Sequence, residues 1–196
     1  MAKGEVRARM VAGAARLLAE HGPPGTSFGD VLSATGAPRG STYHHFPGGR
    51  KELHAAAFDL ASARALAAIE EVRGRPARVV VARFVDLWRS LLTSTELRLG
   101  CAVLAVAVSA EDEEVVAHAG VVFATWREHL ASLLAEGGYP AADAEATSAL
   151  TISAMEGAVA IARAERELTH FELTADALFR ALPGQAPADP ATRDRR

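Results

Sequence analysis

In the N-terminal segment the apolar residues fall at Val6, Met10, Ala14, Leu17 and Leu18, the recurrence of a helix that buries one stripe. The pattern predicts a helix over residues 5–21, ended by Gly22-Pro23-Pro24-Gly25. Ser27, with Asp30 three residues on, forms a variant of the capping box and opens a second helix over residues 28–35. Phe28, Val31 and Leu32 are its buried face. Gly36 ends it. The following helix is confined to residues 38–46, because Pro38 suits a first helical position and Pro47-Gly48-Gly49 stops the run. About two turns are too few to be stable alone. Neighbours must therefore hold this helix, leaving Arg39, Ser41, Thr42, Tyr43 and His44 on a face free for other work.

Helical spacing resumes near Arg50 or Lys51 and continues to about residue 72, through Leu53, Ala57, Leu60, Arg64 and Ala67-Ala68, until Gly74 and Pro76 break it. A fifth helix is expected over residues 77–96, with Val80, Phe84, Leu87, Trp88 and Leu91 on one face. Residues 101–108 are apolar all round, so they are buried; their length admits helix or strand, and their context favours a short helix. Glu111-Asp112-Glu113-Glu114 suits the positive end of a helix running to Leu134 and closed by Gly137-Gly138. Two more helices are expected, over residues 141–167 and 171–182. The prolines among polar residues after Pro183-Gly184 predict disorder for 183–196.

The fold class is therefore all-α. The 196 residues are 49% apolar, ample for a sizeable core. The single cysteine, Cys101, excludes an internal disulfide framework. Arg7, Arg9 and Arg16 interrupt any leader-like apolar core, and the apolar run ending at Val108 is too short to span a bilayer. A soluble, cytoplasmic protein is expected. The net charge of −3 divides unevenly. Residues 1–53 carry seven basic against four acidic side chains, +3, leaving −6 on the remainder. A basic head on an acidic body fits nucleic-acid binding by the head.

Helix, short helix, glycine turn, short helix is the helix-turn-helix layout. The stretch from Gly22 to Leu53, above all Gly40-Ser41-Thr42-Tyr43-His44-His45-Phe46 and the helix start Arg50-Lys51-Glu52-Leu53, resembles the DNA-binding head of TetR-family repressors. Tyr-His-His-Phe-Pro-Gly-Gly followed by a base is similar to the LmrA/YxaF-like branch, as are Gly100-Cys101-Ala102-Val103 and Met155-Glu156-Gly157-Ala158. One departure is visible: the branch usually has proline after the Gly-Cys pair, where this chain has Ala102. The resemblance implies a DNA-binding domain over residues 1–49 and an effector-binding and dimerisation domain over 50–182. It implies an all-helical homodimer of about nine helices per subunit, joined in a four-helix interface by the last two long helices. It further implies a body cavity whose small hydrophobic effector releases a palindromic operator of double-stranded DNA.

Within that layout Arg39, Ser41 and Thr42 are the base-reading candidates, and Tyr43 and His44 the phosphate contacts. Local capping is the alternative for Ser41 and Thr42. Gly40 allows close backbone approach. Arg50 and Lys51 open a helix whose free amides favour phosphate, with the choice between them open; Thr26 and Ser27 do the same for the second helix, with plain capping as the alternative. Candidate cavity residues are Trp88, Leu92, Leu104, Phe123, Trp126, Met155 and Glu156, against the plainer reading of each as core. A carboxylate at 156 must be paired, solvated in a cavity or at an interface. Adjacent His44 and His45 point about 100° apart and make a poor chelate, so neither a metal nor a cofactor is expected. An enzyme built on a helical bundle would need a nucleophile with a base, a carboxylate pair or metal ligands at working spacing. No such constellation is present in sequence. A DNA-binding dimer with no effector stays open.

Overall fold

The computed structural model describes residues 3–182, except the side chains of Lys3 and Ser41; the tail expected to be disordered lies outside the described residues. The described residues form nine α-helices: α1 (Lys3–His21), α2 (Phe28–Thr35), α3 (Thr42–His45), α4 (Arg50–Glu70), α5 (Ala77–Ser94), α6 (Ala102–Ser109), α7 (Glu113–Glu136), α8 (Ala141–Glu165) and α9 (Thr169–Ala181). A 3-10 turn, Arg39–Ser41, precedes α3. α1 packs on α2, α4 and α6; α4 packs in addition on α5 and α7; α7, α8 and α9 pack in sequence.

The caps explain the boundaries. Ser27 N–H donates to Asp30 Oδ2 at 2.8 Å, and Asp30 N–H donates back to Ser27 Oγ at 3.2 Å, so the capping box is complete. At the other end of α2, Gly36 turns left-handed (φ 63°) and its N–H closes on Leu32 O. A side chain there costs roughly 1–2 kcal/mol. The single short helix expected over 38–46 is instead two pieces. Pro38 lies outside, extended at ψ 138°, and the 3-10 turn leads into one turn of α-helix. Gly40 weakens helical continuity, and the buried Ala37, Thr42 and Phe46 set the geometry.

Other ends differ by a few residues. α5 stops at Ser94 because Glu96 and Leu97 turn left-handed, and Leu97 N–H reaches back to Leu92 O. α8 stops at Glu165, with Arg166 at φ 60° and its N–H on Ala162 O. The apolar segment after Gly100 is a helix, α6. Cys101 Sγ stands in for a capping hydroxyl and accepts from Leu104 N–H at 3.3 Å.

The buried residues form one continuous cluster. Met10, Leu18, Val31, Phe46 and Leu53 gather under the helix-turn-helix, while Phe84, Leu92, Leu130, Met155 and Phe171 fill the body. α4 supplies both, with Leu53 and Phe58 near its start and Ile69 near its end. Polar ties follow the same helix. His54 Nε2–H donates to Thr26 O at 3.1 Å in a buried site, and burial holds the ring's pKa below its ordinary value, so it is neutral at pH 7. Trp126 Nε1–H donates to Ser62 Oγ at 2.9 Å. α1 ends against the body: Gly100 N–H and Arg163 Nη2–H take the last carbonyls, Ala19 O and Glu20 O, at 3.0 and 2.9 Å.

Where α7 ends, its backbone touches the α4–α5 connection. A Cβ at Gly137 would lie 2.7 Å from Arg75 O and 2.8 Å from Ala77 N. Gly137→Ala is therefore expected to lower the unfolding free energy by about 1–3 kcal/mol in a urea titration. Gly120→Ala, on the same helix with open space around its Cβ, is expected to be neutral or stabilising by up to about 1 kcal/mol.

Candidate functional site

The turn and α3 present one solvent face. Arg39, Gly40, Tyr43 and His44 are exposed, and nothing lies within 4 Å of a Cβ placed at Gly40. Tyr43 is 76% exposed, yet its ring leans on Phe28 at 6.0 Å between centroids, and Phe28 leans on Phe46 at 6.3 Å. The phenol is thus held on a small aromatic stack rather than swinging freely. Ser41 ends the 3-10 turn. Arg50, at the first position of α4, is exposed and has no ion pair among the described residues.

Three of the expected contact residues have their side chains engaged within the head itself. Thr42, a base-reading candidate, is only 5% exposed, and its hydroxyl donates to Arg39 O at 3.3 Å. The break between the 3-10 turn and α3 rotates it inward. Thr26 is fully buried and donates to Gly22 O at 2.9 Å, so its side chain closes the α1–α2 turn. Ser27 is engaged by Asp30, the plain capping alternative. The choice between Arg50 and Lys51 is also clarified. Lys51 Nζ lies 2.7 Å from Asp112 Oδ2 and 3.2 Å from Glu114 Oε2, both at the start of α7. The Asp112 hydrogen bond, then that of Glu114, holds the ammonium's pKa above the usual lysine value. Lys51 therefore links the head to the body, and Arg50 is the unengaged cation.

The expected cavity residues divide between two spaces, both lined in part by α6. Trp88 and Trp126, 6.5 Å apart edge to face, line a space of about 500 Å³ together with Phe84, Leu87 and Leu91, and Cys101 lies in its wall. Leu104, Phe123 and Glu156 line a second space of about 430 Å³ with Arg127, Ile152 and Gly157. Leu92 and Met155 are fully buried and line neither space, so both are core. Sequence reasoning missed Arg16 and Arg64 at the first space. A signal existed for Arg64, a charge set among apolar residues along α4.

Glu156 is 5% exposed, and neither carboxyl oxygen has a hydrogen bond of normal geometry. Burial pushes its pKa up to about 7, with the neighbouring Cys101 thiol opposing the shift slightly. The same burial, reinforced by Glu156, raises the Cys101 thiol well above its ordinary value. Cys101 is thus a protonated core thiol at neutral pH. Among the described residues no group of three or more His, Cys, Asp or Glu side chains is placed to hold a metal ion, and no helix is long and apolar enough to cross a membrane.

A carboxyl whose folded pKa lies above its unfolded value favours the folded state fully below about pH 4.5, and that advantage is lost as pH rises through about 7. Glu156→Gln is expected to match the wild type in stability at pH 4.5. By pH 8 it should exceed the wild type by about 3 kcal/mol, the size of a shift of that order. Urea midpoints across pH 4.5–8 check this, and parallel profiles would contradict it.

The comparisons agree with this geometry. Residues 10–57 match the family described as bacterial regulatory proteins, tetR family, and residues 77–177 match the C-terminal domain of LmrA/YxaF-like transcriptional regulators. An uncharacterized HTH-type transcriptional regulator of Mycobacterium tuberculosis is 38% identical over 188 residues, covering 92% of this chain and 96% of that protein. YxaF of Bacillus subtilis, also an uncharacterized HTH-type transcriptional regulator, is 26% identical, covering 89% of this chain and 93% of its own. The crystal structure of a TetR transcriptional regulator from Chloroflexus aurantiacus superposes with a TM-score of 0.76 at 29% identity, covering 93% and 96% of the two chains. The basic head with its exposed α3 face, the helical body and these likenesses converge: the chain belongs to the TetR family of DNA-binding bacterial transcriptional regulators, in its LmrA/YxaF-like branch.

Proposed function

We propose that this regulator is a repressor that binds a palindromic operator as a homodimer and is released by a small hydrophobic effector. The observation that carries the reading is the α3 face: Arg39, Gly40, Tyr43 and His44 exposed together, with Arg50 beside them at the start of α4. Arg39 reads base edges, Tyr43 and His44 hold phosphates, and Arg50 adds a phosphate contact at a helix N-terminus. Two such heads meet successive major grooves about 34–36 Å apart. It acts in the cytoplasm, where its operator is.

The dimer forms through α8 and α9. α8 exposes Ala146, Ala149, Leu150, Ser153, Gly157, Ala160 and Ala164 at helical spacing, and α9 exposes Leu173 and Ala177. Small residues allow close helix approach, and Leu150 and Leu173, 51% and 63% exposed, supply apolar surface for a partner helix pair. The effector enters the tryptophan-lined space. It releases DNA by binding better to an arrangement in which the heads no longer fit, so the loss in operator affinity equals the effector's differential affinity.

The test is binding to the DNA upstream of the chain's own gene, followed by fluorescence anisotropy over a salt series. Affinity should fall steeply with salt, as several phosphate contacts require. Tyr43→Ala should weaken binding to every sequence alike, while Arg39→Ala should cost about 1–3 kcal/mol on the preferred site and relax sequence choice. Thr42→Ser, buried and away from the DNA, should leave sequence choice unchanged. If Tyr43→Ala binds as the wild type does, the contact assignment is wrong.

A further inference from the structure

We infer that the tryptophan-lined space takes an amphipathic anion: an apolar body carrying one carboxylate or similar acidic group. The inference rests on the effector reading above and specifies its chemistry. The space is bounded by α1 of the head and by α4, α5, α6 and α7 of the body, and its size of about 500 Å³ suits a small ligand. Its walls are mainly apolar. Phe84, Leu87, Trp88, Leu91 and Trp126 line it, together with small alanines of α1 and α4.

Among the described residues lining it, the charged ones are Arg16 from α1 and Arg64 from α4, and none is acidic. Both arginines are exposed, so they stand where the space meets solvent. Arg16 has only a loose partner, Glu20 at 3.7 Å, one turn along its own helix. Arg64 has no ion pair among the described residues. Trp126 has already given its N–H to Ser62, so it has no donor left for a polar ligand. Net recognition of charge therefore falls to the two guanidiniums, which suit a planar carboxylate. An ammonium would meet two like charges and no acidic side chain among the described lining residues. The second space is different in kind, since Glu156 and Arg127 both line it.

The two arginines come from different parts of the fold. An anion held between them ties α1 to α4 at the mouth, while its apolar body lies between α5 and the alanine wall. The ligand thus sits against the helix that braces the reading head and the helix that leads out of it. Its arrival changes how these two helices are held relative to each other.

The test uses three probes of equal chain length: decanoate, decan-1-ol and decylamine, at pH 7.5 with the full chain. Trp88 and Trp126 are the chain's only tryptophans, and both line the space, so intrinsic fluorescence reports occupancy directly. Decanoate should bind at least about tenfold tighter than either analogue, a modest value for one charge-assisted contact. Arg16→Gln with Arg64→Gln, both at exposed positions, should bring decanoate down to the affinity of decan-1-ol and leave decan-1-ol unchanged. Equal binding of the three probes, tighter binding of decylamine, retention of the preference in the double variant, or no decanoate binding overturns the inference. The same titration with labelled upstream DNA separates the two readings. Selective decanoate binding that leaves DNA affinity unchanged upholds the anion site and sinks effector release. DNA release by decan-1-ol as readily as by decanoate upholds release and sinks the anion preference.

Discussion

α4 belongs to two packing environments at once, and that constraint organises the molecule. Its first turns bury Leu53 and His54 against the helix-turn-helix, Phe58 stacks on His118 of α7, and its later turns hold Ser62 against Trp126 and bury Ile69 in the body. A packed helix transmits displacement because cores are dense and resist continuous deformation. The reading face also leans on α2, where Phe28 packs against Tyr43 and Phe46. α3 is four residues long and the turn before it three, so their position is set by Phe46 and Thr42 below them and by α4 after them. Specificity for DNA, which resides in a few exposed side chains, therefore depends on where a much larger helix lies.

Three ties join head and body besides the hydrophobic contact. α1 surrenders its last carbonyls to Gly100 and Arg163, satisfying groups that a helix end otherwise leaves to water. Lys51 reaches Asp112 and Glu114, distant in sequence but at contact distance in space. His54 holds the α1–α2 turn through the Thr26 carbonyl. The Lys51 pair is exposed and worth little as stability. Its consequence is positional: it fixes the start of α4, next to Arg50, relative to the start of α7. A cation at the mouth of a DNA-binding helix is thus occupied by the protein's own carboxylates.

Much of this was legible from residue order. Periodicity gave the helices, and capping chemistry gave their sharper ends: Ser27 with Asp30, Gly36, and Gly137-Gly138. The exposure of Tyr43 followed from a helix too short to bury two faces. What residue order does not encode is phase and long-range proximity. Thr42 turns inward because a 3-10 turn precedes α3, and the change of phase, roughly 60° over three residues, is invisible in so short a run. Trp88 and Trp126 line one space while Leu104, Phe123 and Glu156 line another, although Phe123 and Trp126 are near neighbours on α7 and meet edge to face at 5.7 Å; every one of these residues has the same helical spacing signal. Leu92 and Met155 carry that signal too and are simply core. The partners of Lys51 lie about sixty residues away, and no local rule relates them.

If α4 makes head and body one unit, they must lose structure together. A urea titration read at two places on the same sample tests this: fluorescence of Trp88 and Trp126 for the body, and the fluorine signal of fluorotyrosine at Tyr43 for the head. One shared helix core predicts coincident curves with one midpoint and one slope, as in a single cooperative transition. A Tyr43 signal that disappears at lower urea, while the tryptophans stay native, would show a head that folds independently and would contradict the account.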